Sequence, residues 1–124
     1  MAISKVLVVD DAEVDRLHLQ TILTNAGYHV ITASSGSEAI DKASDSNPDL
    51  VLLDIIMDGM DGFKACRRLT SEPATKHIPV IMVSGNSQKV DKIWARRQGA
   101  QAYITKPYTA QQVIAEIQRL SVGA

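Results

Sequence analysis

The sequence predicts an α/β fold, doubly wound around a parallel sheet, and two observations carry that expectation. A short apolar run, a polar turn and a helical pattern recur in that order five times. Three of the five runs are almost continuously apolar and rich in Val, Leu and Ile, which is how strands read when helices cover both faces of a parallel sheet. Strands alternating with helices then imply right-handed crossovers and an open sheet.

Strands are expected at Lys5–Val9, His29–Ala33, Leu50–Asp54, Pro79–Val83 and Ala102–Thr105. The second and fifth are more mixed in polarity, as edge strands are. In the first helix Leu19, Ile22, Leu23 and Ala26 follow helical spacing, and Gly27 supplies the residue that ends it. Ser35 with Glu38 forms a capping box ahead of Ala39, Ile40 and Ala43. The third helix, about Gly62 to Ser71, has the weakest pattern, with Phe63, Cys66 and Leu69 as its apolar side. Val90, Ile93 and Trp94 share the apolar face of the fourth helix, which Gly99 closes. Thr109 with Gln112 offers a second capping box before Val113, Ile117 and Leu120.

The chain has 124 residues, a length suited to one domain spanning 1–124. Its 45% apolar content allows a sizeable core, but with one Trp, three Tyr and one Phe the filling must be aliphatic. A net charge of -1 offers no basic field for nucleic acid. No apolar stretch approaches the roughly 20 residues of a membrane span. Cys66 has no partner for an internal disulfide, and His18, His29 and His77 are scattered, so neither a disulfide scaffold nor a zinc site is expected. A soluble, cytoplasmic protein is the expectation.

In open α/β sheets ligands bind beyond the carboxyl ends of the strands. Asp10 and Asp11 follow the first strand, Asp54 ends the third, Ser84 follows the fourth, and Lys106-Pro107 follow the fifth. The second strand ends in Ala33 and adds nothing polar. Two carboxylates about 4 Å apart repel by about 4 kcal/mol at an effective dielectric near 20. A hard dication relieves that repulsion, and Mg²⁺ favours a few carboxylates together with phosphate oxygens. A carboxylate there can act as nucleophile toward phosphorus, with Lys106 as point charge and Ser84 as hydrogen-bond donor on the phosphoryl oxygens. Each residue alone has a plainer explanation. Asp10 or Asp11 qualifies as an N-cap, Asp54 as a turn residue before Asp58-Gly59, and Ser84 as a cap or turn closer. Lys106 passes for a surface charge, and Pro107 for a turn former whose peptide bond is a candidate for cis. The plainer account needs five coincidences at matching strand ends.

Val8-Val9-Asp10-Asp11, Leu52-Leu53-Asp54, Met60-Asp61-Gly62-Phe63, Val83-Ser84-Gly85 and Tyr103-Ile104-Thr105-Lys106-Pro107, in that order, resemble the receiver domains of bacterial two-component response regulators. The resemblance spans essentially the whole chain. It implies a flavodoxin-like sheet of order 2-1-3-4-5 flanked by five helices. It also implies a phosphoryl group accepted on Asp54 from a histidine kinase, and Mg²⁺ held by Asp10, Asp11, Asp54 and the backbone carbonyl of Ile56. Ser84 and Tyr103 would be switch residues, Lys106 would bridge phosphoryl and acid pocket, and output would run through the fourth helix, fifth strand and fifth helix. A monomer, or a dimer formed on phosphorylation, is consistent with that family. The stretch Val90–Ala100 resembles PilH-type receivers, which serve chemotaxis-like pathways controlling type IV pili and twitching motility. Trp94 and Tyr103 are expected on or near the output face, where ordinary packing is the plainer role of both.

Two rivals come from other classes. Haloacid-dehalogenase-type phosphatases also form an aspartyl phosphate, but they need a second Asp two residues after the nucleophile, and Ala12 follows Asp10-Asp11 here. A nucleotide-binding domain lacks its Gly-rich loop. A pseudo-receiver that binds partners without being phosphorylated is the third reading. Departures from the family pattern are Asp58, where a proline is usual, and the variable positions Ile56 and Asn86. An apolar Ile56 side chain cannot orient an attacking water, so intrinsic dephosphorylation is expected to be slow. Ile56→Asn should shorten the acyl-phosphate lifetime severalfold when adduct decay is followed by intact mass, and an unchanged lifetime would contradict that expectation.

Overall fold

The computed structural model describes residues 3–55, 61–85 and 89–123. Five strands, β1 (Lys5–Val9), β2 (His29–Ala33), β3 (Leu50–Asp54), β4 (Val80–Ser84) and β5 (Ala102–Thr105), alternate with five helices. These are α1 (Glu13–Asn25), α2 (Gly36–Ser46), α3 (Gly62–Ser71), α4 (Lys89–Arg97) and α5 (Ala110–Gly123). The sheet order is β2-β1-β3-β4-β5, and every pairing is parallel. β4 begins and ends one residue later than expected, with Ser84 paired to Thr105 inside the sheet. The shift has a simple cause: Pro79 has no N–H for a ladder, so it serves only as acceptor, its carbonyl taking the Val51 N–H at 3.0 Å.

Because side chains alternate along a strand, each central strand feeds two cores. Leu7, Val9, Val51, Leu53, Val80 and Met82 face one side, where Ala39, Ile40 and Ala43 of α2, Ala65, Cys66 and Leu69 of α3 and Ala95 of α4 meet them. Val6, Val8, Leu50, Leu52, Ile81 and Val83 face the other, against Leu19 and Leu23 of α1 and Val113 and Ile117 of α5. Fully burying one such side chain stabilises the fold by roughly 1.5–3 kcal/mol. The edge strands are mixed, as their composition implies.

The helix ends follow mostly from local chemistry. The Ser35 hydroxyl accepts the Glu38 N–H at 3.1 Å, while the Glu38 carboxylate reaches back to the Ser34 N–H rather than to Ser35 itself. Thr109 and Gln112 form a fully reciprocal box, at 3.1 and 2.8 Å. Gly27 and Gly99 end α1 and α4 at φ values of 95° and 102°, a region glycine enters without the Cβ penalty. The Lys106-Pro107 bond is cis.

Two expectations need correction. Neither Asp10 nor Asp11 caps α1. Ala12 takes that position with no side-chain cap, because the Asp10 carboxylate turns inward and accepts the Ala12 N–H only two residues on. Among the described side chains of α4 the buried one is Ala95, whereas Ile93 and Trp94 are 46% and 48% exposed. A small side chain lets α4 lie close to the sheet, and Ile93 and Trp94 are left facing outward. Trp94 is thus not a core residue.

The two burial extremes make a direct comparison. Leu52→Ala, at a fully buried site, should destabilise by about 2–5 kcal/mol in urea unfolding. Leu17→Ala, at a half-exposed site on α1, should change stability by no more than about 0.5 kcal/mol.

Candidate functional site

Parallel pairing brings the carboxyl ends of the strands to one edge. Asp10, just past β1, is 1% exposed and Asp54, at the end of β3, is 8% exposed, while Asp11 faces solvent. One carboxylate oxygen from each of the three lies within 4.8 Å of the others. The loop carrying the pair is braced from both sides of Asp10. Its Oδ1 accepts the Ala12 N–H at 2.9 Å, and its backbone carbonyl accepts from Arg16 Nη1 at 2.8 Å. Behind Asp54, the Gly62 N–H donates to the Ile55 carbonyl at 2.7 Å. A Cβ on Gly62 would collide with the Asp54 carbonyl oxygen and the Ile55 Cα. Only glycine lets α3 start this close to the end of β3.

Lys106 reaches into the cluster from the loop after β5. Its Nζ lies 3.1 Å from Asp15, 3.3 Å from Asp10 and 3.7 Å from Asp54. Burial works to lower its pKa, but the carboxylates of Asp54, Asp10 and Asp15 outweigh burial and hold the ammonium above its ordinary range. Asp54 is pushed the other way, from 3.8 up to about 6, first by burial and then by the negative charges of Asp10 and Asp11, with Lys106 opposing them. Burial also pushes the neighbouring Tyr108 hydroxyl up to about 12.

Asp10, Asp11, Asp54 and Lys106 are therefore brought together as the sequence implied. Ser84 is the buried end of β4, and its carbonyl accepts the Lys106 N–H at 2.7 Å, which sets the two side by side at the same edge. Tyr103 lies on β5, half-buried against the core on the α4 side. Ile56, Asp58 and Asn86 lie outside the described residues. The donor set, oxygen-only carboxylates with no imidazole or thiolate, fits a hard dication such as Mg²⁺.

Sequence reasoning missed Asp15, which sits in the first turn of α1 and makes the shortest ion pair to Lys106. It also missed the stacking of His18 on Tyr108, with ring centroids 5.5 Å apart and planes 14° from parallel. Asp15 falls in the first turn of the helix that directly follows the acid pair; that position was the available signal.

The raised pKa of Asp54 has a consequence for stability. Between about pH 4 and 6 the folded chain keeps a proton that the unfolded chain has released, so stability falls as pH rises through that window. In metal-free buffer with chelator, Asp54→Asn should therefore stabilise the protein at pH 7.5 by up to about 3 kcal/mol. The gain should shrink to near zero at pH 4, as read by urea unfolding at the two pH values. A gain that does not depend on pH would contradict the assignment.

Known proteins share this architecture. The chain is 38% identical over 120 residues to the protein PilH of Pseudomonas aeruginosa, covering 97% of this chain and 99% of that protein. In structure it resembles the chemotaxis protein CheY4 of Vibrio cholerae, with a TM-score of 0.89 at 30% identity over 95% of this chain and 98% of the other. It also resembles a chain of the CheX–CheY–BeF3–Mg²⁺ complex from Borrelia burgdorferi, with a TM-score of 0.88 at 31% identity over 94% and 88%. Residues 6–118 match the response regulator receiver domain, and the protein with this acid pocket at the end of a 2-1-3-4-5 sheet belongs to that family.

Proposed function

We propose that the protein is a phosphoryl-accepting switch in which Asp54 takes the phosphoryl group of a phosphohistidine on a histidine kinase. The observation that carries this reading is one buried carboxylate, Asp54, set against two further carboxylates within 4.8 Å and an ammonium at 3.7 Å. An Asp54 oxygen attacks phosphorus in line. The P–N bond breaks, its electron pair stays on the departing imidazole, and an acyl phosphate remains on the protein. Little covalent work falls to the side chains, so positioning and charge neutralisation account for the rate.

Asp10, Asp11 and Asp54, with the Ile56 carbonyl, would hold Mg²⁺, whose contribution when bound is to neutralise charge between carboxylates and phosphoryl oxygens. The Mg²⁺ named for the Borrelia complex supports this choice of ion. Lys106 binds the phosphoryl oxygens as a point charge, and the Ser84 hydroxyl donates to them. The added ~1.5–2 negative charges then bias a two-state equilibrium, with Ser84 drawn toward the adduct and Tyr103 turning inward behind it. Output leaves through α4, β5 and α5, where the exposed Ile93 and Trp94 offer apolar surface to a protein partner. Beyond this self-catalysed chemistry the protein is a signalling switch rather than an enzyme with its own substrate. Similarity to PilH supports a place in a cytoplasmic, chemotaxis-like pathway acting on type IV pili.

Intact mass after incubation with acetyl phosphate tests the reading. One phosphoryl adduct is expected with Mg²⁺, none with chelator, and none in Asp54→Ala under either condition. No adduct in the native chain would reject phosphorylation and leave a partner-binding module that works without it.

A further inference from the structure

Lys106 has more acid around it than the proposed phosphoryl transfer requires. Its shortest contact is not to either buried aspartate but to Asp15, at 3.1 Å, from a different element. The Lys106 ammonium donates to Asp15 and Asp10, whereas Asp54 stands off at 3.7 Å, beyond hydrogen-bond reach. Burial separates the partners further. The side chains of Asp10 and Asp54 are 2% and 10% exposed, and that of Asp15 is 46% exposed. A buried carboxylate that loses its cation is left uncompensated, but a half-exposed one is rehydrated at little cost. Asp15 is therefore the partner Lys106 can leave most easily.

We propose, resting on the phosphoacceptor reading above, that Asp15 is a positioning residue that docks Lys106 at the rim of the pocket in the resting state and competes with the phosphoryl group for it. Two contacts keep Asp15 within reach. Arg16 fastens the start of α1 to the Asp10 carbonyl at 2.8 Å. One turn on, His18 stacks on Tyr108, tying α1 to the loop that carries Lys106. When Asp54 gains the phosphoryl group, its new oxygens outbid a solvated carboxylate, and the ammonium swings from Asp15 to the adduct. The Asp15 contact exists only before transfer, so it stabilises the resting arrangement and slows entry into the phosphorylated one.

The test is the rate of adduct formation from subsaturating acetyl phosphate with Mg²⁺, followed by intact mass in the native chain, Asp15→Asn and Asp15→Glu. The same substitution is also made in a Lys106→Ala background. Asp15→Asn should accept the phosphoryl group roughly two- to fivefold faster, the range an exposed ion pair can supply. Asp15→Glu keeps the charge and should stay near the native rate, and the gain should be absent without Lys106. An adduct in the native chain with no gain in Asp15→Asn overturns the docking role. So does a gain that persists in Lys106→Ala, which would mark a general repulsion of the anionic donor. No adduct in the native chain at all overturns instead the phosphoacceptor reading on which the proposal rests.

Discussion

Like charges at close range are the constraint around which the functional edge is built. Asp10 and Asp54 are buried beside each other with Asp11 at their rim, and carboxylates so placed repel one another strongly away from bulk water. The fold resists that repulsion by covalent and packing means rather than by neutralising it fully. Asp54 is carried by the central strand β3, paired on both sides, while Asp10 is held by its own backbone turn and by Arg16. The absence of a side chain at Gly62 lets α3 close over the Asp54 backbone. Lys106 then supplies a single positive charge among several negative ones, leaving a site that still favours a divalent cation. The elevated pKa of Asp54 reflects first its burial and then the part of that repulsion which Lys106 does not offset.

The rigidity needed for this comes from the central strands. β1, β3 and β4 are buried on both faces, so their ends cannot retreat from one another without opening two cores. Close-packed interiors deform in discrete steps rather than continuously. The resulting platform keeps the acid residues fixed at one edge of the sheet.

Much of this was legible from residue order. Continuous apolar runs identified the central strands because nothing but two-sided burial explains such runs, and Ser35, Gly27, Thr109 and Gly99 marked helix ends through local chemistry that operates in any context. The acid residues were legible because parallel strands place their last residues together irrespective of detail. What failed depended on distances between elements. The rotation of α4 is set by how closely Ala95 approaches the sheet, so hydrophobic spacing alone pointed to Ile93 and Trp94. Asp15 gains meaning only from Lys106, which lies ninety-one residues away along the chain. The inward turn of Asp10, which leaves α1 without a side-chain cap, likewise reflects a demand from the pocket overriding a local preference.

The sheet also acts as a partition. Tyr103 lies on the sheet face that α2, α3 and α4 cover, while its neighbours Ala102 and Ile104 lie on the face that α1 and α5 cover. Lys106 and its contacts to α1 lie beside the second compartment, and Trp94 projects from the first. A volume change at Tyr103 therefore falls first on the compartment that holds α4 rather than on the one that holds α1. Such a partition lets the side chains beneath α4 be repacked while those beneath α1 keep their places.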